Sequence, residues 1–183
     1  MKKKNLLLIF ALLLVIILVG ASVGYKKLAK NYEGIGQAVE SGESESINAP
    51  DFTVLDGNME EVKLSDLKGK PTVVNFWATW CGYCIVEMPH FDEAYNKYKD
   101  DINFMMVDLT DGQRETVDAA KKFIKETGYT FPVYYDTGYS AATAYGTYSI
   151  PMTVFVNKDG TISNVHKGAM DKQMLIAYIE KMK

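Results

Sequence analysis

From Pro50 to its end the chain predicts an α/β fold, and three observations lead there. Short β-rich runs alternate with amphipathic helical stretches, the pattern of a sheet covered by helices. PTVVNFWA, from Pro71 to Ala78, is almost continuously apolar, which suits a central strand buried on both faces. After the cysteine pair CGYC, the residues Cys84, Met88, Phe91, Tyr95 and Tyr98 recur at the spacing of one helix face. At 183 residues and 48% hydrophobic composition the chain can fill one ordinary core.

The elements follow in order. FTVLD and EVKLS flank the turn GNM and read as an N-terminal β-hairpin, with PTVVNFWA as the central strand after it. The helix beginning at CGYC contains Pro89, which removes the hydrogen bond to the Ile85 carbonyl, so a kink is expected there. INFMMVDL is the next strand. Val117, Ala120 and Ile124 mark a second helix that ends near Gly128. FPVYYD is a strand, Ala141 to Tyr145 a short helix, and MTVFVN and TISNVH are two strands joined by the turn KDG. A last helix starts at the N-cap Asp171 and is expected to bury Met174, Leu175, Tyr178, Ile179 and Met182.

Ahead of this domain lie two segments of different chemistry. Three lysines precede LLLIFALLLVIILV, an unbroken apolar run of 14 residues from Leu6 to Val19, or 18 counted to Val23. That length reaches the roughly 17 to 25 residues that cross a bilayer. It overlaps a long secretory h-region as well, and Val19 and Ala21 are small enough for a cleavage site before Ser22. The length favours a retained signal-anchor over residues 1–24. No cysteine follows the run, which excludes a lipoprotein-type anchor. Lysines flank the run on both sides, and export of the C-terminal part is the expected orientation. Residues 25–49 are rich in Gly, Ser and Glu without apolar periodicity, the composition of a flexible linker, leaving 50–183 as the folded domain. From residue 50 onward 14 basic residues stand against 19 acidic ones with no basic cluster, so nucleic acid is not expected as a partner.

The chemistry concentrates in FWATWCGYC, which holds both cysteines of the chain, Cys81 and Cys84. A thiolate at a helix N-terminus is stabilised by the helix dipole and by unpaired backbone N–H groups, and Cys81 occupies that place. Cys84 follows one turn deeper, in reach of an intramolecular disulfide or of resolving a mixed one. Two other readings compete. Half a structural zinc site would need two more ligands, and beyond the cysteines only His90 and His166 offer imidazoles. A purely structural disulfide enclosing two residues would stabilise little. No cofactor is expected.

The stretches SDLKGKPTVVNFWATWCGYCIVEMP and YSIPMTVFVNKDG resemble the thioredoxin superfamily, and specifically the TlpA/ResA-like, membrane-anchored thiol-disulfide oxidoreductases; the likeness extends from about Pro50 to the C-terminus. The resemblance implies a thioredoxin-like fold with a central mixed sheet. It departs from cytosolic thioredoxins at Asn75, where those carry a buried aspartate, and Asn is common in the TlpA/ResA-like branch. It assigns Glu87, three residues after Cys84, to the position of that branch's active-site glutamate, whose carboxylate would accept a proton or tune the thiols. Spacing alone equally suits a solvent-facing helix glutamate. Ile150-Pro151 matches the family's cis-proline, which presents backbone groups to an extended substrate. Trp80 and Tyr83, with Trp77, are candidates for shaping the substrate groove, although Trp77 suits the core.

The implied activity is reduction of disulfides in exported proteins, with electrons from a membrane thiol carrier of the CcdA type. An apocytochrome, an oxidised reductase and a cell-envelope enzyme all remain open as substrates. An oxidase or isomerase is the enzymatic alternative, and a redox-switched binding module the non-enzymatic one. A peroxidase is disfavoured because the context Ala78-Thr79-Trp80-Cys81 has Ala78 where peroxiredoxins use a threonine, with two residues between it and the cysteine.

Overall fold

The computed structural model describes residues 47–182. Seven strands form one mixed sheet in the order β2-β1-β5-β4-β3-β6-β7. They are β1 (Thr53–Leu55), β2 (Glu61–Lys63), β3 (Thr72–Trp77), β4 (Asn103–Asp108), β5 (Val133–Tyr135), β6 (Met152–Val156) and β7 (Ile162–Lys167). β3, β4 and β5 run parallel, whereas β1 pairs antiparallel with both β2 and β5, and β6 antiparallel with β3 and β7. The helices are α1 (Gly82–Tyr98), α2 (Val117–Thr127), α3 (Ser140–Tyr145) and α4 (Lys172–Met182), and Leu64–Leu67 form one 3-10 turn.

The apolar run of β3 is explained by burial on both faces. Val73 and Trp77 point into one core with Phe104, Met106 and Phe155, and with Met88 and Phe91 of α1 and Leu175 and Ile179 of α4. Val74 and Phe76 alternate to the other side, against Phe52, Met105, Val107, Tyr145 and Val154. Trp77 is therefore a core residue, fully buried.

The stripe on α1 packs as its spacing requires, with Cys84, Met88, Phe91 and Tyr98 buried and Tyr95 at the margin. Pro89, where a kink is expected, lies within one continuous helix from Gly82 to Tyr98. Pro89 lies on its exposed side, where the freed Ile85 carbonyl is not sealed in the core. α2 starts at Thr116, whose side chain accepts from Ala119 N, and stops at Gly128 in the left-handed region (φ 75°), a backbone state glycine adopts without Cβ strain. Asp171 caps α4 by accepting from Met174 N at 2.8 Å. Met174 itself is 40% exposed, contrary to the expectation of burial. The buried face is Leu175, Ile179 and Met182, and Met174 lies one helical step off it.

The apolar run at 6–23 and most of the linker lie outside the described residues. Ile47 to Ala49, assigned by composition to the linker's end, already belong to the fold. Asn48 bridges Thr161, Ala49 N donates to Gly160 O (2.9 Å), and Ile162 N donates to Ile47 O (2.7 Å). Backbone pairing decides membership there, and composition carries no signal of it.

Candidate active site

β3 ends at Trp77, and the chain turns through Ala78, Thr79 and Trp80 into α1, with Cys81 N donating to Ala78 O at 3.1 Å. Cys81 is the N-cap of α1: its backbone is extended (φ −88°, ψ 100°), and its sulfur accepts from Cys84 N at 3.2 Å. A side chain usually caps with oxygen; here the capping atom is the Cys81 sulfur. The same N–H and the helix dipole favour negative charge on it when the thiol is reduced. Cys81 and Cys84 form a disulfide with Cα atoms 5.2 Å apart, and Cys84 is the more deeply buried.

Glu87 is not a surface residue. It is 1% exposed, turned toward the sheet between α1, β3 and the approach to α4. Asn75 Nδ2 donates to its Oε1 at 2.8 Å and Met170 N to its Oε2 at 2.8 Å. Asn75 Nδ2 also donates to Thr153 Oγ1 at 3.0 Å, which ties β3 and β6 into the same network. Burial pushes the Glu87 carboxyl up to about 7, against the opposing pull of the Met170 and Asn75 donors. A carboxyl poised there exchanges a proton near neutral pH. The position of Asn75 three residues into an apolar strand was visible in the sequence; Thr153 and the Met170 N–H were not, because they arrive from distant segments.

The remaining sequence candidates lie in two segments, one flanking Cys81 in the chain and one at the start of β6. Trp80 and Tyr83 are 43% and 74% exposed on either side of Cys81. The Ile150-Pro151 bond is cis, and Pro151 leads into β6 at the sheet end where Met152 pairs with Phe76, the end from which the chain proceeds to Cys81. Ile150 is half-buried and touches both cores. Two buried acids near the turn, Asp108 and Glu115, had no signal in the sequence. Among the described residues no group of three or more His, Cys, Asp or Glu is arranged to hold a metal.

The model of the AhpC/TSA family matches residues 47–165. The chain belongs to that family. Within it the chain groups with the thioredoxin-like thiol-disulfide oxidoreductases. It is 36% identical over 181 residues to the thiol-disulfide oxidoreductase ResA of Bacillus cereus, covering 98% of both chains. It is 33% identical over 186 residues to ResA of Bacillus subtilis, covering 100% of this chain and 96% of that one. Among solved structures, StoA from Bacillus subtilis matches with a TM-score of 0.63 at 25% identity, over 72% of this chain and 97% of its own. The exposed lipoprotein thioredoxin of Streptococcus pneumoniae matches with a TM-score of 0.62 at 30% identity, over 71% and 98%. This family member is therefore an enzyme of thiol-disulfide exchange.

Proposed function

We propose that this oxidoreductase reduces disulfides of exported proteins outside the cytoplasm, tethered to the membrane by its N-terminal apolar run, and is recharged by a membrane thiol carrier of the CcdA type. The observation that carries the reading is the asymmetry of the cysteine pair: a capping sulfur on Cys81 and a fully buried Cys84 one turn inward, with Glu87 on the following turn.

In the reductive direction the Cys81 thiolate attacks one sulfur of the substrate disulfide. A mixed disulfide forms and the first substrate thiolate leaves. Cys84 then gives its proton to the Glu87 carboxylate and attacks the Cys81 sulfur, releasing the second substrate thiolate and closing the Cys81–Cys84 bond. Two electrons have moved from enzyme to substrate, and protons from solvent complete the substrate thiols. Trp80, Tyr83, Ile150 and Pro151 form the surface that receives the substrate chain.

Cys84→Ser tests the roles. It should accumulate as a mixed disulfide with its partner, recoverable from cells under non-reducing conditions, and Cys81→Ser should not. A Cys84→Ser protein that still reduces disulfides over many turnovers, with no adduct, would overturn them. Recovery of the native enzyme mainly disulfide-bonded in cells lacking the carrier, and mainly dithiol when it is present, would support the reductive direction; the same redox state in both would count against the donor. A retained anchor predicts that the mature protein keeps residues 1–24 and fractionates with membranes, whereas a soluble form beginning at Ser22 would establish cleavage.

A further inference from the structure

Two consecutive residues of one loop hold the two consecutive residues that lead into Cys81. The loop spans residues 109–116 between β4 and α2. Arg114, the only arginine in the chain, lays its guanidinium 3.9 Å from the centre of the Trp80 ring. Glu115 is fully buried, and its Oε2 accepts both the backbone N–H and the hydroxyl of Thr79, at 2.9 and 2.7 Å. We propose that Arg114 and Glu115 are the positioning clamp of the reactive turn, fixing Trp80 and Thr79 so that the Cys81 sulfur is presented to a protein disulfide in one orientation. This rests on Cys81 being the attacking thiol.

A glutamate buried this way needs a partner for its second oxygen. Oε1 of Glu115 has no hydrogen-bond partner among the described side chains and backbone groups apart from the neighbouring acid Asp108. Asp108 ends β4 opposite Trp77; its Oδ1 accepts from the Thr110 hydroxyl at 2.6 Å, and its Oδ2, like Glu115 Oε1, is buried with no other hydrogen-bond partner. One proton satisfies both oxygens. Burial first, and then the charge and hydrogen bonding of Glu115, push Asp108 up to about 8. At neutral pH the pair accordingly holds a proton between Asp108 and Glu115, while Glu115 Oε2 accepts from Thr79. The remaining groups facing Asp108 are Asp111, whose charge acts in the same direction, and Tyr135, whose hydroxyl is pushed up by its own burial and by Asp108. Lys121 lies over the Tyr135 ring at 5.6 Å. Once that proton is lost the two buried acids face each other without it, and the hold on Thr79 loosens.

The test uses the reduced full-length protein. Cys81 alkylation and reduction of a protein disulfide are followed against pH, and each rate is divided by the thiolate fraction from ultraviolet absorbance. In the wild type the rate per thiolate should fall as pH rises through about 8. Glu115→Ala should lower it on the order of tenfold at neutral pH, the scale of a small misplacement of a reacting atom. Glu115→Gln should recover most of that loss and lack the alkaline fall, because its amide oxygen still accepts from Thr79 and its NH2 donates to ionised Asp108. Arg114→Ala changes an exposed residue and should raise acrylamide quenching of Trp80, Trp77 being buried. A folded Glu115→Ala with the wild-type rate per thiolate would overturn the clamp, as would an alkaline fall that persists in Glu115→Gln or unchanged quenching in Arg114→Ala. If Glu115→Ala does not fold, the last two measurements decide. Cys81→Ser is the separate control: residual disulfide reduction by that variant would refute the underlying reading of Cys81 whatever the clamp variants do.

Discussion

Replacing Glu87 by Gln should abolish the loss of stability that this site suffers as pH rises. The Glu87 carboxyl is raised from 4.5 to about 7, chiefly by burial. Between those values the folded state holds a proton that the unfolded chain has released, so stability falls as pH rises and the contribution is lost on passing about 7. At about 1.4 kcal/mol per pH unit, the span amounts to about 3 kcal/mol. Gln imitates the protonated acid: it is neutral, offers one carbonyl oxygen to either Met170 N or Asn75 Nδ2, and turns an NH2 toward the other. The variant should therefore match the wild type to within about 1 kcal/mol in mild acid and exceed it by roughly 2 to 3 kcal/mol above pH 8, after any cost of the donor facing a donor. Urea unfolding of the oxidised full-length proteins across that range reads the difference directly. With a slope of about 2 kcal/mol per molar urea, the midpoints should separate by roughly 1 M at the alkaline end. Parallel curves at all pH values would refute the reasoning, because they would mean that the Met170 and Asn75 donors keep Glu87 ionised throughout.

The same variant bears on rate: Glu87→Gln should slow exchange with a small-molecule disulfide and change the shape of its pH–rate profile, and superimposable profiles would remove Glu87 from proton transfer. Met88→Ala, on the fully buried face of α1, should cost about 2 to 5 kcal/mol in denaturant unfolding; a loss under 1 kcal/mol would mean that the core collapses onto the site. Thr116→Ala should cost about 1 kcal/mol by freeing the Ala119 N–H at the start of α2, and Thr116→Ser should restore most of it.

What the sequence made legible is what local periodicity and spacing encode. The stripe of α1, the two-sided burial of β3 and the capping place of Cys81 follow from residues within a few positions of one another. Met174 and Leu175 mark the limit of that method, since both are apolar and one helical step separates the face that is buried from the one that is not. Glu87 had the spacing of an ordinary solvent-facing glutamate, and the family resemblance alone drew attention to it. Its burial depends on Asn75, 12 residues away, and on Met170, 83 residues away. Glu115 was hidden for the same reason. In DGQRET it reads as a loop charge, and its partner Thr79 lies 36 residues upstream. A charge that is buried because distant segments converge on it leaves no mark on its own neighbourhood.

The pairing of Ile47 to Ala49 with the turn between β6 and β7 gives the domain a mechanical polarity. Those hydrogen bonds lie at the end of the sheet where Thr72 is opposite Val156, while Cys81 lies beyond the other end, past Trp77. The six residues of β3 separate the two by roughly 20 Å. If the proposed anchor holds the chain, tension reaching Ile47 would meet the β6–β7 turn first, a strand's length from the start of α1. Under the proposed tethering, one pole would serve as a mooring and the cysteine pair would sit at the other, away from the load.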